Sequence, residues 1–562
     1  MKLQARCPDA IGAAPKKDHD VMNKSTDDID GSPRPWRQGR RIAGRVIALC
    51  VALLIAALLL ALAVAGQRFA STGSVTTDIA HLVRMSAIQA GLSTLLSLLA
   101  GALTAWSLDR LRFAGRGFIV GLLSTALVLP SLVIISGLIA VWGRNGWINV
   151  LLDPLGLSSG SVIFGLGGIL AAHVLLNGAL AARVFLDRLE AIPPEKLKLG
   201  RSLGLSPLRR FTIIDLPALA GSAPGVGATI FLLCFTSFPI VLVLGGGPAN
   251  QTLEVAIYES VRLDFDLGKA VGLALVQLAA CAAIIIPATR FAPVSTLFGR
   301  RSLMHWPDGG VVAVVQAVIL TILLAMFIMP LLAVLIRGAG PALIPVLQQP
   351  AFWAAFRTSL LLGTLSAGLA VSLAIGLGMS RALEAQKSAA RTLLGLPVFA
   401  YLAVPAVVLA LGFFLLARLL GIPTGLAAPV VLVLANALIA LPFAFAILSP
   451  PLEALAKQHE KLIRSLGLSS TGQWLRIEWP LLGRATGYAL AVSFVFSLGD
   501  LGVISLFGTA DFSTLPWYMY RAFGAYRTQD AEAIAALLLV LSLAAFLLIP
   551  KMLEVLIHAR NR

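Results

Sequence analysis

A helix needs about 20 apolar residues to cross the hydrocarbon core of a bilayer, and runs of that length recur along the whole of this 562-residue chain. Nothing else in the sequence restricts the fold as much. Twelve runs can be drawn, near 42–66, 86–108, 117–142, 161–186, 220–244 and 268–289 in the first half, and near 309–336, 358–380, 392–417, 426–448, 483–507 and 531–550 in the second. Internal prolines such as Pro130, Pro405 and Pro442 are compatible with spans, because neighbouring helices can satisfy the backbone groups that a kink frees. The first run is longer than the apolar core of a signal peptide, about 7 to 15 residues, and lacks a convincing small-residue cleavage site. It predicts a retained anchor.

Charge is correspondingly scarce. Charged residues make up 13% of the chain, against about 25% in soluble proteins, and the mean hydropathy is +0.90. A soluble enzyme of this length is excluded. With the N-terminus in the cytoplasm, both termini and the loops near 110, 200, 300, 385 and 465 fall on one side, and together with the adjoining span ends they hold 34 of the 44 lysines and arginines. That bias is the positive-inside rule, so the net charge of +17 records topology. The partner it predicts is membrane lipid and not nucleic acid, because no basic domain with interleaved aromatics appears. Cys7, Cys50, Cys234 and Cys281 show no metal-binding or disulfide spacing, and no cofactor is expected. Residues 1–41, polar and without hydrophobic period, read as a disordered cytoplasmic tail.

The halves repeat each other. At an offset of 263, Leu199–Pro217 aligns with Leu462–Pro480 with nine of nineteen positions identical, and Asp215 faces Glu478. Upstream, Arg84 to Ser86 corresponds to Arg357 to Ser359 at an offset of 273. Both copies of the repeated loop fall on the cytoplasmic side, which makes this a parallel repeat related by an axis along the membrane normal. In the first copy, Leu197, Leu199, Leu203 and Leu205 alternate with polar residues and predict a short surface helix ending near Gly204. Solvated connectors rarely keep such detail in duplicate, so a docking surface for a cytoplasmic partner is expected.

The spacing G-x9-I-x-L-P, present as Gly204, Ile214, Leu216 and Pro217 and again as Gly467, Ile477 and Pro480 with Trp479 in place of Leu, resembles the EAA loop of binding-protein-dependent ABC importer permeases. The E-A-A triplet itself reads Lys198-Leu199-Gly200 and Lys461-Leu462-Ile463. Two such loops in one chain resemble the fused permeases of thiamine and iron(III) importers. The stretches Ser497 to Gly508, Asp511 to Pro516 and Tyr526 to Asp530 are similar to the thiamine type. The resemblance implies an all-α polytopic membrane protein of about 12 transmembrane helices, built from two parallel type I ABC importer permease repeats at 84–287 and 357–550. Residues 42–83 would hold the first span and an outer loop, 288–356 a linker with the seventh span, and 551–562 a cytoplasmic tail. It also implies an ABC ATPase subunit, in two copies, a periplasmic binding protein, and a place in the bacterial inner membrane.

No G-x-x-x-x-G-K-[ST] loop occurs, so ATP hydrolysis must be a partner's work and the chain is not expected to be an enzyme. An ion-coupled secondary transporter would be expected to carry several intramembrane ionisable groups, whereas Asp500 and His173 are the clearest here. A membrane-embedded enzyme finds no acid cluster or nucleophile motif. His173 and Asn177 share a helix face and predict interhelical hydrogen bonds. Trp142, Trp147, Trp353 and Trp517 read as interfacial anchors. The fifth and eleventh spans carry Ser237 and Asp500 at matched positions. With Phe238, Ser497, Phe494 and Phe496 nearby, they form a candidate substrate path for a cationic ligand. Outer-loop Tyr258, Trp517, Tyr520 and Arg521 are candidate contacts for the binding protein.

Overall fold

The computed structural model describes residues 35–69, 78–156, 163–288, 305–385, 388–402, 404–458 and 470–560. Among them every regular element is helical. The first half runs through α1 (Pro35–Phe69), α2 (Ile79–Arg110), α3 (Arg116–Thr125), α4 (Ser131–Trp142), α5 (Leu166–Glu190), α6 (Pro194–Ser202), α7 (Ala223–Phe235), α8 (Pro239–Leu244), α9 (Leu253–Arg262) and α10 (Leu267–Ala288). The second comprises α11 (Gly310–Gly338), α12 (Pro350–Ala382), α13 (Ala389–Leu402), α14 (Ala406–Leu419), α15 (Thr424–Gln458), α16 (Trp479–Leu498), α17 (Gly502–Phe507), α18 (Leu515–Gly524) and α19 (Thr528–Arg560). The chain is therefore an all-α, multi-pass membrane protein. Its lipid side is visible on α1, where Ile42, Val46, Leu49 and Leu53 lie exposed along one stripe at helical spacing.

Each predicted run overlaps helix, yet among the described residues only ten helices are long and apolar enough to span, or eleven with one bent pair counted. The difference from twelve has a local cause. The third run breaks before Pro130, where Leu129 is extended at ψ 129°, and the ninth breaks at Pro405 into α13 and α14 of fourteen residues each. Proline lacks the amide and pushes its predecessor out of the helical region. The fifth and eleventh runs break as well. Three residues, Thr236–Phe238, separate α7 from α8, and three, Gly499–Leu501, separate α16 from α17.

Irregularities recur at the repeat offsets. Five-residue π-helical turns occupy Phe211–Asp215 and Trp474–Glu478, and short helices α9 and α18 follow the two breaks. The opening helix of each half crosses over: α1 packs on α12 and α14 of the second half, and α11 packs on α2 and α4 of the first.

Two expected tails are shorter than drawn. The helix α1 begins at Pro35, since proline is well suited to a helix's first turn, so 35–41 belong to it. Likewise α19 continues to Arg560 through most of 551–562. Residues 1–34, with Cys7, lie outside the described residues.

Candidate functional site

The first repeated loop is a compact platform. As predicted, α6 ends at Ser202, and the chain turns through Gly204 at φ +61°, a left-handed conformation that favours glycine. The Leu205 amide returns to the Gly200 carbonyl at 3.2 Å. Ile214 in the π turn and Pro217 just after it come back against α6 and close a groove of about 580 Å³ with Leu199, Leu203 and Leu205, rimmed by Arg188 and Lys196. A side chain on Gly200 would stand 2.9 Å from Ile214 Cδ1, so any larger residue there would have to push that side chain aside. Leu199 and Leu203 are 61% and 67% exposed, and Leu216 also faces outward. Exposed leucines around an apolar groove on a charged face are what a protein partner would cover. In the second copy, Ile477 and Pro480 are half-buried around the equivalent π turn. Gly467 and the 461–463 triplet lie outside the described residues.

Behind each platform sits an ionic cluster. Arg110, at the end of α2, pairs with buried Asp215 and lies 3.7 Å from Asp308, while Arg210 reaches Asp308 at 3.4 Å. Trp306 covers the Arg210 guanidinium at 4.4 Å. Beneath the second platform, Arg40 holds Glu478 by two prongs at 2.7 and 2.9 Å, and Gln473 adds a bond at 2.7 Å. A further pair is duplicated: Arg116 to Glu190 at 2.9 Å and Arg391 to Glu453 at 2.6 Å. Sequence reasoning picked out Asp215 and Glu478 only as matched acids. Glu190 and Glu453 were findable, since they too lie 263 apart; the arginines on other helices were not.

The broken helices meet in the interior. The break at Gly499 lies against Pro130 of the other half, with a would-be Cβ 3.0 Å away, and Gly502 lies against Ala406. Discontinuous helices facing each other across a repeat interface are a common setting for a transport site. Ser237 and Asp500 both sit in breaks and are half-buried. Asp500 Oδ1 accepts from the Val503 amide at 3.2 Å and Oδ2 from Ile504 at 3.4 Å, so the carboxylate caps α17.

Other members of the expected path are committed elsewhere. Phe238 is buried edge-on against Tyr258, with ring centroids 5.2 Å apart. Phe494 fills the space over Gly363 of α12. The Ser497 hydroxyl is buried and accepts from Asn436 at 3.0 Å. Phe496 stays half-exposed and stacks on Phe443 at 4.5 Å. Of the expected path residues, Ser237, Asp500 and Phe496 keep partial exposure.

The expected outer contacts need a similar correction. Tyr258 and Trp517 are each only 6% exposed, because α9 and α18 turn their aromatic faces inward, so in this conformation neither offers a surface to another protein, and Trp517 is no interfacial anchor. Tyr520 is half-buried, and Arg521 is exposed. Arg262 spans the halves, donating to the Gly508 carbonyl at 2.8 Å and lying over Trp517. Within the first half, the hydrogen bonds expected of His173 and Asn177 are present, to Ser93 on α2 at 2.9 Å and to Cys234 on α7 at 3.2 Å.

Helices that cross between the halves and paired breaks in long apolar runs are the architecture of a helical membrane protein. No family model matches the chain. It is 39% identical over 482 residues to the thiamine transport system permease protein ThiP of Escherichia coli, covering 84% of this chain and 89% of that one. The ThiP proteins of Brucella melitensis (35%, 87% and 90% covered) and Haemophilus influenzae (37%, 82% and 86%) are similar over comparable lengths. The sulfate transport system permease protein CysT of Salmonella typhimurium is 28% identical over 206 residues, 36% of this chain and 72% of that one. The chain belongs to the thiamine transport system permease family.

Proposed function

We propose that this chain is the membrane-spanning subunit of a binding-protein-dependent ABC importer that moves thiamine or its phosphates into the cytoplasm. The observation that carries the proposal is similarity to thiamine permeases across both halves. The iron(III) alternative gains no support from these relatives, and an ion-coupled transporter would leave the paired platforms without a purpose. In this reading the chain is a permease and not an enzyme; a separate subunit, in two copies, hydrolyses ATP, one copy on each platform.

The repeats at 84–287 and 357–550 are the two halves of a pseudo-dimer in the bacterial inner membrane, with both termini cytoplasmic. A binding protein delivers substrate to the outer face, with Arg521 and the exposed edge of Tyr520 among its contacts. Substrate then passes the two breaks, where Ser237 offers a hydroxyl and Asp500 a carboxylate. Because thiamine's thiazolium ring is permanently cationic, a carboxylate and the Phe496 face suit it chemically. Deleting the gene from a host that cannot synthesise thiamine should abolish growth on low external thiamine. Normal growth, in a host shown to have no second thiamine importer, would refute the assignment.

A further inference from the structure

The two platforms are held by parts of the chain that do not belong to the loops themselves. Arg40 lies in the early turns of α1, a helix that packs on α12 and α14 of the second half and on α10 of the first. Its guanidinium grips Glu478 inside the second platform, and both side chains are largely buried, at 16% and 11% exposure. Asp308 lies just ahead of α11, which packs on α2 and α4 of the first half and on α19 of the second. Its side chain is 5% exposed and meets Arg210 of the first platform and Arg110 at the end of α2. Gln316, in the second turn of α11, donates to Asp308 at 2.8 Å and ties the acid to that helix. The polarity is reversed between the two: a base on the crossing helix meets an acid in one loop, and an acid ahead of the other crossing helix meets bases at the other.

We infer that Arg40 and Asp308 are positioning residues for coupling: each clasps one platform to the helix that bridges the two halves, so that a displacement of the platform is passed to the interface between them. This rests on the reading that the platforms receive the ATPase. The physical requirement is a two-state element that both sites bias. A bridging helix in contact with both halves, ion-paired at its end to a loop, supplies such an element. Long-lived pairs of this kind form best where water is largely excluded and the geometry is two-pronged, as it is for Arg40 and Glu478.

The test uses the full complex in proteoliposomes, with Arg40→Glu, Glu478→Arg and the double exchange. Each single reversal sets like charges in contact and should raise the ATP hydrolysed per thiamine imported by about fivefold or more, with the ATPase still bound. The exchange should bring the ratio back, which a merely structural loss would not do. Asp308→Asn should raise the ratio on the other platform. Should a reversal prevent assembly, Arg40→Gln is read in its place against the same ratio. An unchanged ratio in assembled Arg40 and Asp308 variants, or an exchange that assembles without restoring it, would overturn the clasp. Failure of the underlying reading looks different: Leu203→Asp would then leave ATPase retention untouched.

Discussion

The Ser86 hydroxyl, on α2, accepts the backbone amide of Leu253 at the start of α9, at 3.1 Å. Its counterpart Ser359, on α12, accepts the amide of Leu515 at the start of α18, at 2.8 Å. Each buried serine satisfies one of the amides that a helix N-terminus leaves open, and does so from a neighbouring span. Helices α9 and α18 are thus pinned at matching points in the two halves. Removing either hydroxyl with alanine should loosen its helix by about 1 kcal/mol, as loss of a cap does. Faster hydrogen exchange in α9 for Ser86→Ala and in α18 for Ser359→Ala is the expected result.

Gly204 should be intolerant of substitution for a backbone reason. Nothing crowds its Cβ position, but at φ +61° a side chain costs about 1 kcal/mol or more. Gly204→Asp is expected to distort the platform and reduce ATPase retention on affinity purification. Because a second platform remains, combining it with Gly467→Asp should be more severe, with transport abolished.

Asp500 separates two roles by one substitution. Asn caps a helix about as well as Asp, so Asp500→Asn should leave thermal stability within about 0.5 kcal/mol of the parent. If the carboxylate also serves a cationic substrate, import falls severalfold while assembly is normal. Import at the parental rate would leave Asp500 as a cap alone.

The outer aromatics should behave as packing groups. Tyr258→Ala removes a buried ring from Phe238 and should destabilise the complex by about 3 kcal/mol. Arg521→Ala, at an exposed site, should leave stability unchanged and weaken stimulation of the ATPase by the binding protein. The pair of melting curves and stimulation assays distinguishes the two.

Helix class and approximate spans were legible because apolar runs report burial in lipid without reference to any partner. Repeated loops were legible because Leu199–Pro217 recurs with nine of nineteen positions identical at one fixed offset. The breaks at Thr236–Phe238 and Gly499–Leu501 were not, since each lies inside a run whose overall length and apolarity read as one continuous span. Side-chain direction was the other loss. Tyr258, Trp517 and Phe238 have the composition of a contact surface, but the turn of α9 and α18 points the aromatics inward. Arg40 and Asp308 carried no local signal, because their meaning depends on helices crossing between halves.

The most direct test is uptake of labelled thiamine into proteoliposomes holding this chain with its ATPase and binding protein. The account predicts accumulation that requires internal-facing ATPase with ATP and external binding protein together, and is outcompeted by unlabelled thiamine but not by iron(III). Accumulation that proceeds without ATP, or follows iron(III) in place of thiamine, would contradict it.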